Sequence, residues 1–114
     1  KGGISKEKGY HSLMARNREL RELELGGSHT LQEWVKLKQR YNFMCLCCKK
    51  FEPEIKLTED HIIPVNVWKS YIESHPEIKY QCGDIENIQP LCFSCNSRKQ
   101  IKIINYIEFM ELVK

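Results

Sequence analysis

Two cysteine pairs of the form Cys-x-x-Cys constrain this 114-residue chain more than any other feature of its sequence. The first pair is Cys45 and Cys48, within "CLCC", and the second is Cys92 and Cys95, within "CFSC". Each pair can turn two thiolates toward one point, so together they supply the four ligands of a tetrahedral zinc site. A domain this short buries only a modest part of its unfolded surface, so a bound metal ion would add to the stability of a small core.

Six cysteines in a small chain have a second common explanation, a disulfide framework. The sequence shows no secretory signal pattern and no apolar run of about 18 to 20 residues that would span a bilayer. We therefore favour zinc and expect a cytoplasmic protein with no membrane segment. Cys47 is an alternative to Cys45 or Cys48 as a ligand, although only Cys45 and Cys48 have the two-residue gap. Cys82 has no assigned role.

The basic residues are unevenly distributed, although the formal net charge is only +3. Residues 34–51 contain five bases and no acid, and residues 96–105 contain three bases and no acid. Such clusters are typical either of solvated helix faces or of nucleic-acid contacts. Charge alone therefore does not identify a partner.

Helix caps, turn residues and apolar spacing predict an α+β order of elements. Residues 1–29 are expected to form a basic N-terminal arm or helix, with helix over Ser12–Leu25 that lies on DNA or on the domain. Thr30 and Glu33 then form a capping box. The elements expected after it are a helix over Leu31–Tyr41 with Trp34 in the core, a strand over Lys56–Ile63, a short helix within "VNVWKSYIE", a strand over Asn87–Cys92, a helix from Phe93 and a last helix over Asn105–Val113.

Between the cysteine pairs, "TEDHIIPVN" places an acid and a histidine at the start of an apolar strand. Hydrolysis of a phosphodiester needs an activated water and a cation that offsets charge on the phosphoryl oxygens. His61 can accept a proton from water at neutral pH when its second ring nitrogen is held by an acceptor. Asp60 and Asn96 offer hard oxygen ligands that suit Mg²⁺ or Mn²⁺.

The order of these motifs resembles the HNH endonuclease family, which has a ββα-metal (His-Me finger) core, in its zinc-containing branch. The matching segments "CLCC", "DHIIP" and "ENIQPLCFSCNSRK" lie within residues 45–99, and "HTLQEWVKLKQRYNFMC" is similar to the lead-in helix of phage and bacterial members. The signature positions would be His61, Asn87 and Asn96, with asparagine where other members carry a final histidine. The resemblance implies an α+β nuclease domain over residues 30–114, with a structural zinc knuckle pair and flanking helices.

The resemblance also implies a role for each signature residue. His61 would be the general base, and Asp60 and Asn96 would bind one catalytic Mg²⁺ or Mn²⁺ ion. Asn87 would tether the loop between the two strands. On a helix, Asn96 is turned about 100° from Cys95, so the zinc ion and the catalytic ion would share no ligand.

Three bases follow Asn96 and are candidates for contacts with backbone phosphates. Lys99 lies three residues after Asn96, on the same helix face, with Arg98 at its flank and Lys102 beyond. The alternative is a solvated helix face that contacts nothing.

The central region leaves two questions open. Asp60 and His61 point to opposite faces of an ideal strand, so both can serve one site only if the strand twists, bulges or ends there. The 25 residues between His61 and Asn87 form an enlarged loop with apolar residues of its own. Mixed local charge favours a packing role over a DNA contact for these residues, which are Trp68, Tyr71, Ile72 and Tyr80.

These motifs predict a metal-dependent DNA endonuclease that nicks or cuts double-stranded DNA. By the resemblance, the products would carry 3′-hydroxyl and 5′-phosphate ends, the protein would be bacterial or phage-encoded, and its wider partner would be a phage or restriction assembly. The alternative is a non-catalytic, zinc-stabilised module that binds nucleic acid. The sequence predicts neither a DNA sequence preference nor an oligomeric state.

Overall fold

The computed structural model describes residues 25–112 and has an α+β architecture. It contains helix α1, strand β1, helix α2, strand β2, and helices α3 and α4, and two short 3-10 turns at Val65–Val67 and Ile85–Asn87. The bounds are α1 Leu31–Arg40, β1 Leu57–His61, α2 Trp68–Ser74, β2 Ile88–Cys92, α3 Phe93–Lys99 and α4 Tyr106–Leu112. The predicted fold class and order of elements are confirmed. The predicted helix over Ser12–Leu25 lies outside the described residues except for Leu25, which is helical.

Helix α1 begins at the predicted capping box. The N–H of Glu33 donates to Oγ1 of Thr30 at 3.0 Å, and the N–H of Thr30 donates to Oε1 of Glu33 at 2.8 Å. Two backbone donors that the helix itself leaves unpaired are satisfied in this way. Trp34 is buried on the inner face of the helix, as its spacing predicted.

The two strands pair antiparallel through five consecutive residue pairs, with Asp60 opposite Gln89 and His61 opposite Ile88. Strand β1 is shorter than predicted and ends at His61. Just beyond the strand, the N–H of Ile62 donates to the Asn87 carbonyl at 2.8 Å, and the N–H of Ile63 donates to the Asn87 side chain at 2.9 Å.

The buried apolar residues form two clusters. The first cluster joins α1, the first cysteine loop, the strands and the start of α3, and includes Trp34, Leu46 and Leu91. The second cluster is built by the long inter-strand segment around Ile63 and Trp68. Tyr71, Ile72 and Tyr80 pack against that second cluster, so the packing role predicted for this segment is confirmed.

The segment before α1 contacts the turn that precedes β2. Gly26 and Gly27 have φ of 81° and 84°, and a Cβ at Gly83 would lie 2.6 Å from the Gly27 carbonyl oxygen. The N–H of Ser28 donates to Oδ1 of Asp84 at 3.1 Å. The boundary after residue 29, between an N-terminal arm and a domain over residues 30–114, stays a prediction.

Within residues 25–112, no helix combines the length and the apolar character needed to cross a membrane.

Candidate functional site

Four cysteine thiols converge at one point of the fold. The sulfur atoms of Cys45, Cys48, Cys92 and Cys95 all lie within 4.8 Å of one another, and the Cys48 and Cys92 sulfurs are 3.9 Å apart. A tetrahedral zinc ion with Zn–S bonds of about 2.3 Å would place its sulfurs about 3.8 Å apart. The four predicted ligands are therefore positioned to bind one metal ion.

Tight backbone turns bring the thiols together. The first loop folds back through residues with positive φ, Asn42, Phe43 and Lys49, and is closed by a bridge between Met44 and Phe51. The second pair lies where β2 passes directly into α3, so one thiol ends the strand and the other lies in the first turn of the helix. The N–H of the strand-end cysteine donates to the Cys45 sulfur at 3.2 Å and ties the two pairs to each other.

The thiols of the quartet differ in acidity. Burial raises the pKa of Cys45, but N–H groups of Cys48, Cys92 and Cys47 outweigh it and lower this pKa to about 7. Burial raises the pKa of Cys95. Metal ions bind the thiolate form, so the lowered pKa of Cys45 favours the form that binds a metal ion.

All six cysteines of the sequence are free thiols, and the two outside the quartet have separate surroundings. Cys47 is half-buried beside Tyr106, and its hydrogen bond raises the pKa of that tyrosine to about 12. Cys82 is completely buried in the second apolar cluster. The choice of Cys45 and Cys48 over Cys47 agrees with the geometry.

A buried polar site lies beside this quartet, where α3 crosses the sheet. Residues 58 and 60 share one face of β1 because side chains alternate along a strand. Nδ2 of Asn96 donates to Oγ1 of Thr58 at 2.9 Å, and Nζ of Lys99 lies 3.3 Å from Oδ2 of Asp60. Asp60 and Asn96, the two predicted ligands of the catalytic ion, therefore face the same junction between strand and helix.

Lys99 has a different environment from the one its sequence position suggested. Its side chain is 1% exposed, and Nζ donates to the His61 carbonyl at 2.9 Å in addition to its contact with Asp60. Helical spacing does place it on the face of Asn96, but that face is covered by the sheet. Its ammonium compensates the charge of the buried Asp60 carboxylate, and the sheet shields it from the DNA backbone phosphates that it was predicted to contact. Burial lowers the pKa of Lys99 below its ordinary value, although the charge of Asp60 and its hydrogen bond oppose this shift.

His61 is the last residue of β1 and is 9% exposed. The register through Asp60 and His61 is unbroken. The strand therefore ends at Asp60 and His61 and does not bulge there. The end of a strand is one of the conditions under which both of these residues can serve one site.

Asn87 joins the two ends of the inter-strand segment. It is fully buried, its Oδ1 accepts from the N–H of Ile63 at 2.9 Å, and its Nδ2 donates to the carbonyls of Cys82 at 2.9 Å and Ile63 at 3.2 Å. An amide side chain with three buried backbone partners holds the loop closed. This geometry supports the tethering role that the resemblance implied.

The two remaining predicted phosphate contacts are exposed. Arg98 donates from Nη2 to the Cys95 sulfur at 3.3 Å, so its guanidinium lies over the thiol quartet. Lys102 lies in the loop after α3.

Sequence reasoning missed two polar groups that contact β1. Gln89 is completely buried and donates from Nε2 to Oδ2 of Asp60 at 2.8 Å. The ring of His29 lies between the Gly83 carbonyl, 2.8 Å from Nδ1, and the Glu59 carboxylate, 2.6 Å from Nε2. Gln89 lies opposite Asp60 because of the strand register, which the sequence does not give, and no local signal in the sequence points to His29.

A family model agrees with the motifs. No curated protein and no solved structure matches the chain. A family model described as HNH endonuclease matches residues 45–102, just over half of the chain, and spans both cysteine pairs and the three signature positions. Family membership indicates a nuclease-type or nucleic-acid-binding function. With a two-stranded sheet, a helix crossing it and a convergent cysteine quartet all present as the motifs predicted, this chain belongs to the HNH endonuclease family.

Proposed function

We propose that the protein is a metal-dependent endonuclease that hydrolyses phosphodiester bonds of double-stranded DNA. The observation that carries the proposal is that two contacts join β1 to α3 beside His61. Asp60 of β1 contacts Lys99 of α3, and Asn96 of α3 contacts Thr58 of β1. A module that only binds nucleic acid has no need for a buried carboxylate, an imidazole and an amide at this point.

His61 is the proposed general base. Its ring would take a proton from the attacking water, and the direct attack of that water would leave 3′-hydroxyl and 5′-phosphate ends. The position of His61 is set at two points of its backbone, since it pairs with Ile88 across the sheet and its carbonyl accepts from Lys99.

Asp60 and Asn96 are the proposed ligands of one Mg²⁺ or Mn²⁺ ion. Nδ2 of Asn96 is engaged by Thr58, which leaves the amide oxygen as the atom that can bind a hard cation. Asp60 contributes a carboxylate that already lies beside a lysine ammonium. The donor set fits such an ion, which when bound would offset charge on the phosphoryl oxygens and the leaving oxygen.

The cysteine quartet is the proposed structural zinc site. It holds together the first loop, the end of β2 and the first turn of α3, which is the helix that carries Asn96. Zinc would thus position Asn96 without sharing a ligand with the catalytic ion.

Phosphate contacts would supply much of the affinity for DNA, so binding should weaken steeply with salt. Arg98 and Lys102 are the exposed candidates beside the proposed site. A bacterial or phage origin, and a place in a phage or restriction assembly, remain part of the proposal.

A non-catalytic nucleic-acid-binding module is the second candidate, and one observation favours it. The ammonium of Lys99 lies 3.3 Å from Asp60, so the carboxylate already has a cation beside it. The two candidates differ in whether Asp60 accepts a divalent ion in the presence of Lys99.

Cleavage of supercoiled plasmid tests the proposal directly. We expect wild-type protein to cut with Mg²⁺ or Mn²⁺ and not with chelator, and His61→Ala to lose cutting while retaining its zinc content and its DNA affinity. His75→Ala is the matched control, since His75 stacks on Tyr71 in the inter-strand segment. Unchanged cutting by His61→Ala would exclude the proposed general base, and DNA binding without any cutting by wild type would favour the second candidate.

A further inference from the structure

Gln89 makes three hydrogen bonds with its side-chain amide although it is completely buried. Nε2 donates to Oδ2 of Asp60 and to the Ile104 carbonyl, and Oε1 accepts from the N–H of Tyr106, each at 2.8 Å. We propose that Gln89 is a positioning residue through which the C-terminal segment, residues 104–112, orients the Asp60 carboxylate. This inference rests on the proposed function, in which Asp60 binds the catalytic ion.

The backbone of the C-terminal segment permits only one orientation of the Gln89 amide. The Ile104 carbonyl can only accept, and the Tyr106 N–H can only donate. Rotating the amide by 180° would bring oxygen against oxygen and N–H against N–H at these two points. The correct orientation leaves the second N–H of Nε2 pointing at Asp60. The C-terminal segment thereby ensures that Gln89 presents an N–H donor, and not its amide oxygen, to the Asp60 carboxylate.

The bond from Tyr106 has no competitor within the helix. Tyr106 is the first residue of α4, and the N–H of Glu108 donates to Oδ1 of Asn105 at 2.9 Å, which places Asn105 at the N-cap. Backbone N–H groups in a first helical turn have no intrahelical acceptor. Gln89 therefore caps α4 with its oxygen while it holds Asp60 with its nitrogen.

The far end of α4 is attached to other parts of the fold. Oε2 of Glu111 accepts from the Tyr41 hydroxyl at 2.9 Å and from Nη2 of Arg40 at 3.2 Å. Nζ of Lys49 lies 3.2 Å from Sδ of Met110. These contacts set the position of α4 against α1 and the first cysteine loop, so the helix is a fixed support for Gln89. The support lies beyond residue 102, where the match to the family model ends.

Two donors hold the Asp60 carboxylate at the same oxygen atom. Lys99 and Gln89 both approach Oδ2 of Asp60, at 3.3 and 2.8 Å. Groups that orient a metal ligand through hydrogen bonds typically change metal affinity by about 10- to 100-fold when removed. We expect loss of the Gln89 bond to weaken divalent-ion binding within this range.

The test compares Tyr106→Pro with Tyr106→Ala, using the full chain with its zinc. Both variants lose the tyrosine ring, but only proline removes the N–H that Gln89 accepts, and proline is tolerated at the first position of a helix. Mn²⁺ affinity is measured by the EPR signal of the free ion, without DNA and without turnover. We expect Tyr106→Pro to bind Mn²⁺ about 10-fold or more weakly than Tyr106→Ala, and Gln89→Met to resemble Tyr106→Pro. Equal affinities of the proline and alanine variants would overturn the inference.

A second readout separates failure of this inference from failure of the proposed function. The ¹³C shift of the Asp60 carboxyl and the side-chain amide signals of Gln89 report their hydrogen bond with no divalent ion added. If wild type binds no Mn²⁺, or if Asp60→Ala binds it equally well, the proposed catalytic ion site is wrong. The positioning role is then decided by NMR: it stands if the Asp60 shift differs between the proline and alanine variants and falls if the shift is the same.

Discussion

Nζ of Lys99 lies 3.3 Å from Oδ2 of Asp60, and both side chains are almost completely buried, with 1% and 4% of their surfaces exposed. Transfer of either charge alone into this site would be costly, and each compensates the other. The pair joins the last turn of α3 to β1, so it also holds the two elements that carry the proposed site.

Removing one member of this pair should destabilise the fold. We expect Lys99→Met to lower the free energy of unfolding by about 3 to 5 kcal/mol because the buried Asp60 carboxylate loses the positive charge beside it. Lys102→Met, at an exposed lysine of the next loop, is the matched control and should change stability by less than about 0.5 kcal/mol. Urea unfolding measures both. The double variant Asp60→Asn with Lys99→Met should recover part of the loss, and equal stability of Lys99→Met and wild type would contradict the ion pair.

Zinc binding should depend on four cysteines and not on the other two. Cys48→Ser removes one ligand of the tetrahedral set, so we expect its zinc content, measured by mass spectrometry, to fall well below the single ion per chain expected of wild type. Cys47→Ser is the matched control one position away and should keep its zinc. Wild-type protein treated with a chelator should unfold at a lower temperature than untreated protein. Zinc loss in the Cys47 variant would mean that the quartet is misassigned.

Asn96→Ala should separate the two proposed metal sites. The variant removes the amide oxygen proposed to bind the divalent ion and leaves all four thiols in place. We expect metal-dependent plasmid cutting to fall by more than the roughly 10- to 100-fold that loss of a group orienting a metal ligand costs, while zinc content is unchanged. Ser97→Ala, at the exposed next residue, is the control and should cut normally. Loss of zinc from the Asn96 variant would show that the sites are not independent.

Stability should depend on the protonation of His29. Burial lowers the pKa of His29, but hydrogen bonds to the Gly83 carbonyl and the Glu59 carboxylate, together with the charges of Glu59 and Glu33, outweigh it and raise this pKa above its ordinary value of 6.5. Both ring nitrogens face acceptors, and only the imidazolium donates from both. A group whose pKa is raised on folding stabilises the fold fully below the unfolded value and loses that contribution as the pH rises through the folded value.

His29→Gln should lack this component of the pH dependence. As the pH rises above the ordinary histidine pKa of 6.5, we expect wild type to lose more free energy of unfolding than the variant, because the other titrating groups are common to both. Denaturant unfolding at several pH values measures the difference. Parallel curves for the two proteins would show that the His29 contacts do not favour the charged form.

Some features of this protein follow from short stretches of sequence. The capping box of Thr30 and Glu33 begins α1 because both hydrogen bonds are made within four residues. The two Cys-x-x-Cys pairs supply one ligand set because their spacing turns both thiols of a pair toward one point. Apolar spacing and turn residues predicted the order of the strands, and the family resemblance added the roles of Asp60, His61 and Asn96.

Other features depend on contacts between residues far apart in the chain. Helical spacing placed Lys99 on the face of Asn96, but only packing against the sheet made that face buried and turned a predicted phosphate contact into the partner of Asp60. Gln89 could be found only after the strand register was known, because its partners lie 29 residues before it and 15 and 17 residues after it. The sequence by itself predicted the four cysteines that converge and the order of the elements. Tertiary structure alone decided which charges are paired in the interior, because desolvation depends on what covers a side chain and not on its neighbours in sequence.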